Sequence, residues 1–252
     1  MAAIVKDLEA GEIARALDTQ GFVCVPNAIS PEWLDRARAH VEMLASRRNG
    51  YFAMNWPSRE DNSPWQEMTG DPTIAGLLSE LTKLGCPNAK VDPEIYNVLR
   101  VVTGASGDAK SLCYHYDNTV ITALVPVLIP EGPPRKAGEL LIYPNRRPYR
   151  SSVFANMAEK AVVQSDWYRK RFTQSLPDGE TDEIKLLKPG NLYFFWGYRG
   201  YHGNFPVKHD ILRATFLMHQ GDPHGGSLAL AAIKQLNLRR EQRNRQKAEA
   251  AR

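Results

Sequence analysis

The sequence lacks any long apolar run, and its first residues do not have the pattern of a signal peptide. A helix that crosses a membrane needs about 18 or more consecutive apolar residues, and no stretch of the 252 residues provides them. The first residues, MAAIVKDLEAGEIARAL, carry acidic side chains early and have no apolar core of the kind that a signal peptide requires. We therefore expect a cytoplasmic protein rather than a secreted or membrane-spanning one.

Cysteine is scarce. The three residues Cys24, Cys86 and Cys113 are an odd number and show no CxxC spacing. This pattern argues against a disulfide framework and against a structural zinc cluster. A catalytic role for Cys113 is an alternative, but its apolar surroundings favour an inert core thiol.

The chain also lacks a strong overall charge. Its 32 Lys and Arg residues exceed its 28 Asp and Glu residues by four, and the excess lies in residues 227–252, which hold seven basic and two acidic residues. The remaining body is close to neutral, which argues against nucleic acid as a partner. The basic tail, predicted to be helical, is either a solvated helix end or a site of peripheral contact with an anionic membrane.

What is present is the composition of a globular domain, with 43% hydrophobic and 24% charged residues. Residues 1–90 are predicted to be mainly helical, because apolar side chains recur every three or four positions in AGEIARAL, PEWLDRARAHVEML and PTIAGLLSELTKLG. Ser30 is suited to cap the second helix, with Pro31 at its first position. FVCVPNAI predicts a short strand, and residues 49–71 predict a long loop.

From residue 91 to about residue 226 the pattern changes to short runs rich in β-branched and aromatic residues. EIYNVLRVV, SLCYHYD, TVITALVPVLI, GELLIYP, IKLLKPGNLYFFW and LRATFLMHQ are separated by turn sequences such as TGASGD and PEGPP. This pattern is typical of an antiparallel barrel or sandwich, and a helical insertion at residues 151–175 interrupts it. We expect one domain over residues 1–226, mainly β with flanking helices, followed by the tail at 227–252.

One short stretch, CYHYD at residues 113–117, places a histidine and an aspartate two positions apart. Side chains alternate along a strand, so His115 and Asp117 are predicted to share one face, with Tyr114 and Tyr116 on the other. Two histidines with one carboxylate form the ligand set of non-haem Fe(II) oxygenases. The pair therefore supplies part of a divalent-metal site if a second histidine lies nearby.

A second histidine and a cation follow in the downstream strands. His202 comes shortly after the apolar strand NLYFFW, whereas His219 is interpreted as structural. Arg213 and Thr215 alternate onto one face of ILRATF, and an arginine inside an apolar barrel is costly unless it holds an anion. A guanidinium beside a hydroxyl is a candidate receptor for a carboxylate.

The order of these residues resembles that of the Fe(II)/2-oxoglutarate-dependent dioxygenases. The pattern is H-x-D at His115 and Asp117, a distant His202, and R-x-T at Arg213 and Thr215. In addition, GFVCVPNAISPEWLDRARAHVEML, AGELLIYP and LKPGNLYFFW are similar to the phytanoyl-CoA dioxygenase branch of that superfamily. The resemblance spans roughly residues 8–220.

The resemblance implies a double-stranded β-helix, the jelly-roll or cupin-like barrel, and a site with defined roles. His115, Asp117 and His202 would bind Fe(II) and form the catalytic centre. 2-Oxoglutarate would bind the iron through its keto acid, with its other carboxylate held by Arg213 and Thr215, and O2 would take the remaining position. The implied reaction is hydroxylation of an unactivated C–H bond in a small-molecule or lipid-linked substrate, with succinate and CO2 as coproducts.

Five residues refine this interpretation. Asp117 favours hydroxylation or desaturation, because halogenating relatives carry a small residue at that position. Arg100 lies on a strand face from which relatives contact 2-oxoglutarate or substrate. Trp196 and Tyr201, near the second histidine, are candidate substrate contacts. Arg146 is another, because the loop YPNRRPYRSSVF carries three arginines that suggest an anionic or sugar-acid substrate.

Several alternatives remain open at this point. Zinc suits the same three ligands, although Arg213 would then have no evident role. A catalytically silent jelly roll could act as a binding or sensor module. An oxygenase of this type could also act on a protein instead of a small molecule.

Overall fold

The computed structural model describes residues 4–48, 50–102, 111–150, 152–177, 179, 181–207 and 212–225. In these residues the α-helices are α1 (Ala10–Thr19), α2 (Pro31–Ser46), α3 (Pro64–Gly70), α4 (Pro72–Gly85), α5 (Val153–Val163) and α6 (Asp166–Gln174), and a 3-10 helix spans Pro57–Arg59. The strands are β1 (Phe22–Val25), β2 (Phe52–Asn55), β3 (Tyr96–Val102), β4 (Ile121–Leu128), β5 (Leu140–Tyr143), β6 (Ile184–Lys185), β7 (Leu192–Phe195), β8 (Tyr201–Asn204) and β9 (Arg213–Gln220).

Two antiparallel sheets form the core of the molecule. The larger sheet has the strand order β1-β7-β4-β9-β3-β2, and the smaller has the order β6-β5-β8. A bridge between His115 and His202 ties the loop before β4 to the smaller sheet. This is a jelly roll, mainly β with flanking helices, and the fold class predicted from the sequence is confirmed.

Alternation along the strands of the larger sheet separates two apolar layers. The residues of β9 that pack against the helical layer are Ala214, Phe216 and Met218. Leu217 instead belongs to a second core that includes residues of both sheets. Because side chains alternate along a strand, Arg213, Thr215 and His219 lie on the same face as Leu217.

The helical layer forms because each helix has one apolar stripe. In α2, Ser30 caps the helix by accepting a hydrogen bond from Trp33 N at 3.3 Å, and Pro31 occupies the first turn, as predicted. Five side chains at helical spacing are buried on this helix: Trp33, Leu34, Ala37, Val41 and Leu44. They join the same core as the outward face of β9, so the helices cover one side of the larger sheet.

Three segments differ from the sequence-based expectation. Residues 49–71, predicted as a loop, contain β2, the 3-10 helix and α3, and Ser63 caps α3. The helical insertion is two helices, because Ser165 caps α6 directly after α5 ends. The CYHYD segment is not a strand, since His115 makes only an isolated bridge.

The predicted basic tail, residues 227–252, lies outside the described residues. The domain division at residue 226 therefore stays a prediction. Within the part of the chain that the structure describes, no helix combines the length and the apolar character that crossing a bilayer would require.

Phe216 provides a test of the layer that joins sheet and helices. It is fully buried and its ring lies 4.9 Å from that of Trp65. We expect Phe216→Ala to lower the free energy of unfolding by about 3–5 kcal/mol. Phe154 on α5 is 78% exposed, so Phe154→Ala should change that free energy by less than about 0.5 kcal/mol. Urea unfolding measures both, and equal losses would contradict this packing.

Candidate metal and cofactor site

Two histidines and an aspartate lie side by side between the two sheets. Asp117 Oδ1 is 3.5 Å from His115 Nε2 and 3.7 Å from His202 Nε2. One ligand atom from each residue lies within 4.8 Å of the other two. Asp117 and His202 are buried, and His115 is partly exposed. The structure thus brings together the three residues that the sequence singled out as metal ligands.

Hydrogen bonds at the far side of each ring set the histidine tautomers. His115 Nδ1 lies 2.9 Å from the Cys113 carbonyl, and His202 Nδ1 lies 3.1 Å from the Gly200 carbonyl. A carbonyl oxygen only accepts, so each Nδ1 carries a proton and donates. Nε2 then keeps its lone pair on the side of Asp117. Metal-binding histidines are generally oriented in this way, so both rings are prepared to act as neutral nitrogen ligands.

Backbone hydrogen bonds hold the ligand-bearing loop in place. His115 N donates to the His202 carbonyl at 2.9 Å, and His202 N donates to the His115 carbonyl at 3.0 Å. Asp117 N donates to the Gly197 carbonyl at 2.9 Å. His202 itself lies on β8, which pairs with β5. The two ligand segments are therefore fixed to each other although the first of them is not a strand.

The second carboxylate oxygen of Asp117 has its own partners. Thr122 Oγ1 on β4 donates to Asp117 Oδ2 at 2.6 Å, and His219 Nδ1 on β9 lies 3.6 Å from the same oxygen. Thr122 Oγ1 also lies 3.0 Å from His219 Nδ1. Since the hydroxyl proton goes to Asp117, the His219 Nδ1 proton is donated to Thr122 Oγ1. This chain fixes the plane of the carboxylate and leaves Oδ1 on the side of the two histidines.

Burial and mutual contact set the charges of this cluster. Burial alone would raise the pKa of Asp117, but the surrounding histidines hold that pKa well below its usual value. Burial lowers the pKa of His202 to about 3, although the Asp117 charge opposes this shift. Burial also lowers the pKa of His219. At neutral pH the site therefore offers an ionised Asp117 and a neutral His202, which are the protonation states in which these groups bind a metal.

Gly197 leaves no room for a side chain beside the carboxylate. A Cβ at this position would lie 2.5 Å from Thr122 Oγ1 and 2.8 Å from Asp117 Oδ2. Both contacts are far shorter than van der Waals distance. Glycine is therefore required here for the hydrogen bond between Thr122 and Asp117 to form.

Arg213 is a buried cation with unused hydrogen-bond donors. It is 3% exposed, and among the described residues its Nε and Nη2 atoms have no hydrogen-bond partner. Burial and the neighbouring Arg100 lower its pKa to about 10, against the opposing effect of Glu139. A Cβ at Gly138 would lie 2.4 Å from Arg213 Cδ, so the adjacent glycine makes space for the side chain. Such a group is ready to receive an anion.

Two neighbouring cavities connect Arg213 with the metal-ligand cluster. A cavity of about 650 Å³ is lined by His115, Asp117, His219 and Arg100 among others. A small cavity of about 30 Å³ is lined by Arg213 and Arg100. Both share Arg100, Tyr51 and Asn204. Arg100 on β3 pairs with Thr215 on β9, so the structure brings all the predicted cofactor-binding residues to this region.

The three predicted substrate contacts do not line the larger cavity. Trp196 belongs to the core that packs against the helices, and its indole Nε1 donates to Asp18 at 3.0 Å. Tyr201 is buried in an aromatic cluster and donates to the Val163 carbonyl at 2.7 Å. The Arg146 guanidinium lies over the Tyr201 ring at 5.3 Å. Their placement therefore gives no support to the predicted substrate roles.

The sequence indicated only a structural role for His219, and its place beside Thr122 and Asp117 was not predicted. The alternation of β9 places His219 on the same strand face as Arg213 and Thr215, and this could have been read from the sequence. Its hydrogen-bond partner Thr122 could not, because it is 97 residues away. Tyr114 and Tyr116 are buried in the aromatic cluster, but Tyr116 also lines the larger cavity together with His115 and Asp117, so the alternation predicted for CYHYD is only partly present.

Comparison with known proteins identifies the fold. No family model and no curated protein matches the sequence. Among solved structures, a prolyl hydroxylase from Trichoplax adhaerens aligns over 84% of this chain and 89% of its own, with a TM-score of 0.53 and 15% identity. AviO1 from Streptomyces viridochromogenes aligns over 87% of this chain and 97% of its own, with a TM-score of 0.56 and 13% identity.

A third neighbour is a cofactor-dependent enzyme with a bound metal. The alpha ketoglutarate-dependent epimerase SnoN, from nogalamycin biosynthesis, has been solved with Fe3+ and alpha ketoglutarate. That structure aligns over 84% of this chain and 83% of its own, with a TM-score of 0.53 and 13% identity. At this level of identity, the similarity establishes that the chain has the jelly-roll fold of the 2-oxoglutarate-dependent oxygenases.

The hydrogen bond from Thr122 gives a test of the site before any substrate is known. Thr122→Val keeps the side-chain shape but removes the donor to Asp117 Oδ2. We expect divalent-metal affinity to fall about tenfold or more, as is usual when such an outer contact is lost. Anaerobic titration with Fe(II) measures the affinity.

Thr82→Val is the matched control for this substitution. Thr82 is also buried, but it donates to the Leu78 carbonyl within α4. Its replacement should leave metal affinity unchanged. If both valine variants bind metal as well as the wild type does, Thr122 does not orient the carboxylate.

Proposed function

We propose that the chain is an Fe(II)- and 2-oxoglutarate-dependent dioxygenase. His115, Asp117 and His202 are the iron ligands and the catalytic centre, and Arg213 holds the distal carboxylate of 2-oxoglutarate. The observation that carries the proposal is the buried Arg213 guanidinium, whose Nε and Nη2 have no hydrogen-bond partner among the described residues. It lies next to a cluster of two histidines and one aspartate, and one site accounts for both features.

The ligand set fits iron as well as it fits zinc, and the arginine decides between them. Two histidines and one carboxylate leave positions open on an octahedral metal, as in non-haem Fe(II) oxygenases. Zinc would use the same three ligands, but a zinc site has no use for a buried guanidinium. A cosubstrate with a carboxylate at its far end supplies the counter-charge that Arg213 lacks.

The neighbouring residues suit the shape of 2-oxoglutarate. Its keto-acid end is expected at the metal ligands, and its distal carboxylate is expected at Arg213 with help from the Thr215 hydroxyl. Arg100, opposite Thr215 in the β3–β9 register, lines both cavities and is proposed as a further contact. Bound in this way, the dianion would lie along the inner face of β9.

When bound, Fe(II), 2-oxoglutarate and O2 supply oxidation of an unactivated C–H bond, with succinate and CO2 as coproducts. The chain's own residues prepare that chemistry. His115 and His202 donate their Nδ1 protons to backbone carbonyls, Thr122 fixes the Asp117 carboxylate, and burial keeps water from Arg213. The carboxylate at position 117 favours hydroxylation over halogenation.

The substrate is proposed to be a small or lipid-linked molecule. The neighbours named as enzymes include prolyl hydroxylases, an epimerase and a carbocyclase, so the fold supports more than one oxidative outcome. Membership of the phytanoyl-CoA dioxygenase branch, a cytoplasmic location and membrane contact through residues 227–252 rest on the sequence alone and are kept as proposals.

The cofactor site can be tested by anaerobic addition of Fe(II) and 2-oxoglutarate. The wild type should give the weak visible charge-transfer band of a metal-bound keto acid, and His202→Ala should abolish it. Arg213→Met should weaken 2-oxoglutarate binding about a hundredfold, because two hydrogen bonds to a charged group are lost. Arg38→Met, a substitution on α2 away from both cavities, is the matched control.

The outcomes separate the proposal from its rivals. Absence of the band in folded wild type would contradict the oxygenase. A band without succinate formation under O2, across a screen of small molecules and peptides, would indicate a silent binding module. Succinate formation that depends on a peptide would indicate an oxygenase that acts on protein.

A further inference from the structure

We propose that the substrate carries an acidic group, a carboxylate or a phosphate, and that Lys160 and Arg169 bind it. This inference rests on the proposed function, because it concerns the part of the cavity that 2-oxoglutarate leaves free. Neither residue is among the candidates that the sequence suggested. Both belong to the helical insertion, Lys160 to α5 and Arg169 to α6.

The two cations line the same cavity as the metal ligands. The wall of the 650 Å³ cavity includes Lys160, Gln164 and Arg169 together with His115 and Asp117. Arg213 is not part of this wall and lines the small neighbouring cavity. The insertion therefore contributes a basic wall to the space beside the metal, separate from the arginine assigned to 2-oxoglutarate.

Each cation is anchored on one side and has donors left over. Lys160 Nζ donates to the Asp117 carbonyl at 2.9 Å and to Asn118 Oδ1, which uses two of its three protons. Arg169 Nε donates to the Tyr114 carbonyl at 3.1 Å, which leaves the two terminal nitrogens of its guanidinium. These anchors fix both groups in position without neutralising them.

No carboxylate of the described residues forms an ion pair with either cation. Among the described residues of the cavity wall, Asp117 is the single acidic one, against the cations Arg100, Lys160 and Arg169. The charges of Fe(II) and 2-oxoglutarate cancel each other, and Arg213 offsets Asp117. A partly buried positive charge then remains, and an anionic substrate would supply the counter-charge.

The arginines of the nearby loop do not serve this purpose. Arg147 and Arg150 both pair with Glu159, at 3.0 Å and 3.1 Å. Arg146 lies over aromatic rings, including that of Tyr143 at 5.5 Å. The arginines of this loop suggested an anionic substrate in the sequence. In the structure, the cations that favour such a substrate are Lys160 and Arg169 instead.

A matched pair of fluorinated probes tests the inference without turnover. Trifluoroacetate and trifluoroacetamide have almost the same size and differ in charge. Protein loaded with Mn(II) in place of Fe(II), and with excess 2-oxoglutarate, broadens the fluorine NMR signal of a ligand held near the paramagnetic ion. We expect trifluoroacetate to bind about tenfold more tightly than the amide, since hydrogen bonds to a charged group are stronger than neutral ones.

Three variants assign the effect to the proposed residues. Lys160→Met and Arg169→Met should each abolish most of the preference for the acid. Arg171→Met removes an exposed cation from the same helix α6 and should leave the preference unchanged. Lys160 contacts the Asp117 carbonyl, so its replacement could disturb the metal site. Electron paramagnetic resonance therefore checks Mn(II) and 2-oxoglutarate binding in each variant. Arg169→Met is the variant that does not remove a contact with Asp117.

The outcomes distinguish this inference from the proposed function. Failure of Mn(II) or 2-oxoglutarate to bind the wild type would count against the cofactor site itself. If both bind but the acid and the amide are broadened equally, or not at all, the anionic-substrate inference is overturned while the oxygenase stands. A preference for the acid that survives both Lys160→Met and Arg169→Met would also overturn it.

Discussion

The arrangement of the site depends on one buried carboxylate. A charged aspartate inside a protein is costly unless hydrogen bonds and neighbouring charges compensate it, and Asp117 finds its compensation in residues of three strands. Thr122 comes from β4, His202 from β8 and His219 from β9. Both sheets must therefore be in register before the carboxylate is satisfied. The hydrogen bonds of this polar cluster require one relative position of the two sheets. The apolar core between the sheets restricts that position less.

The alternation of β9 links the core to the cofactor site. Its outward side chains fasten the sheet to the helices, and its inward side chains supply Arg213 and His219. A slip of one residue would exchange the two sets, placing a guanidinium against the helical layer and Phe216 on the face that bears Arg213 and His219. The register of this strand is thus determined by the apolar face, and the chemistry on the other face follows from it.

Alternation along the sequence predicted an antiparallel barrel or sandwich, and the resemblance to the 2-oxoglutarate-dependent dioxygenases implied the jelly roll, which is confirmed. The roles that the resemblance implies for the three candidate ligands and Arg213 stay predictions. Alternation could also have placed Trp196 correctly, since it shares a strand face with Phe194, which packs toward the helices. Lys160 and Arg169 could not be predicted, because their positions depend on how the insertion packs across a loop more than forty residues away. The pairing of Glu159 with Arg147 and Arg150 could not be predicted from the sequence either. Within residues 49–71, β2 could not be predicted because it depends on pairing with β3, whereas α3 carried a local signal in Ser63 followed by Pro64.

The helical insertion is fastened to the very loop that carries the ligands. Lys160 holds the carbonyl of Asp117, and Arg169 holds the carbonyl of Tyr114, one residue before His115. The part of the cavity wall that the insertion forms is therefore hydrogen-bonded directly to the loop that carries His115 and Asp117. If the proposed function holds, an occupant of the cavity that displaces the insertion would also displace the backbone beside His115 and Asp117 through these two hydrogen bonds, without moving either sheet.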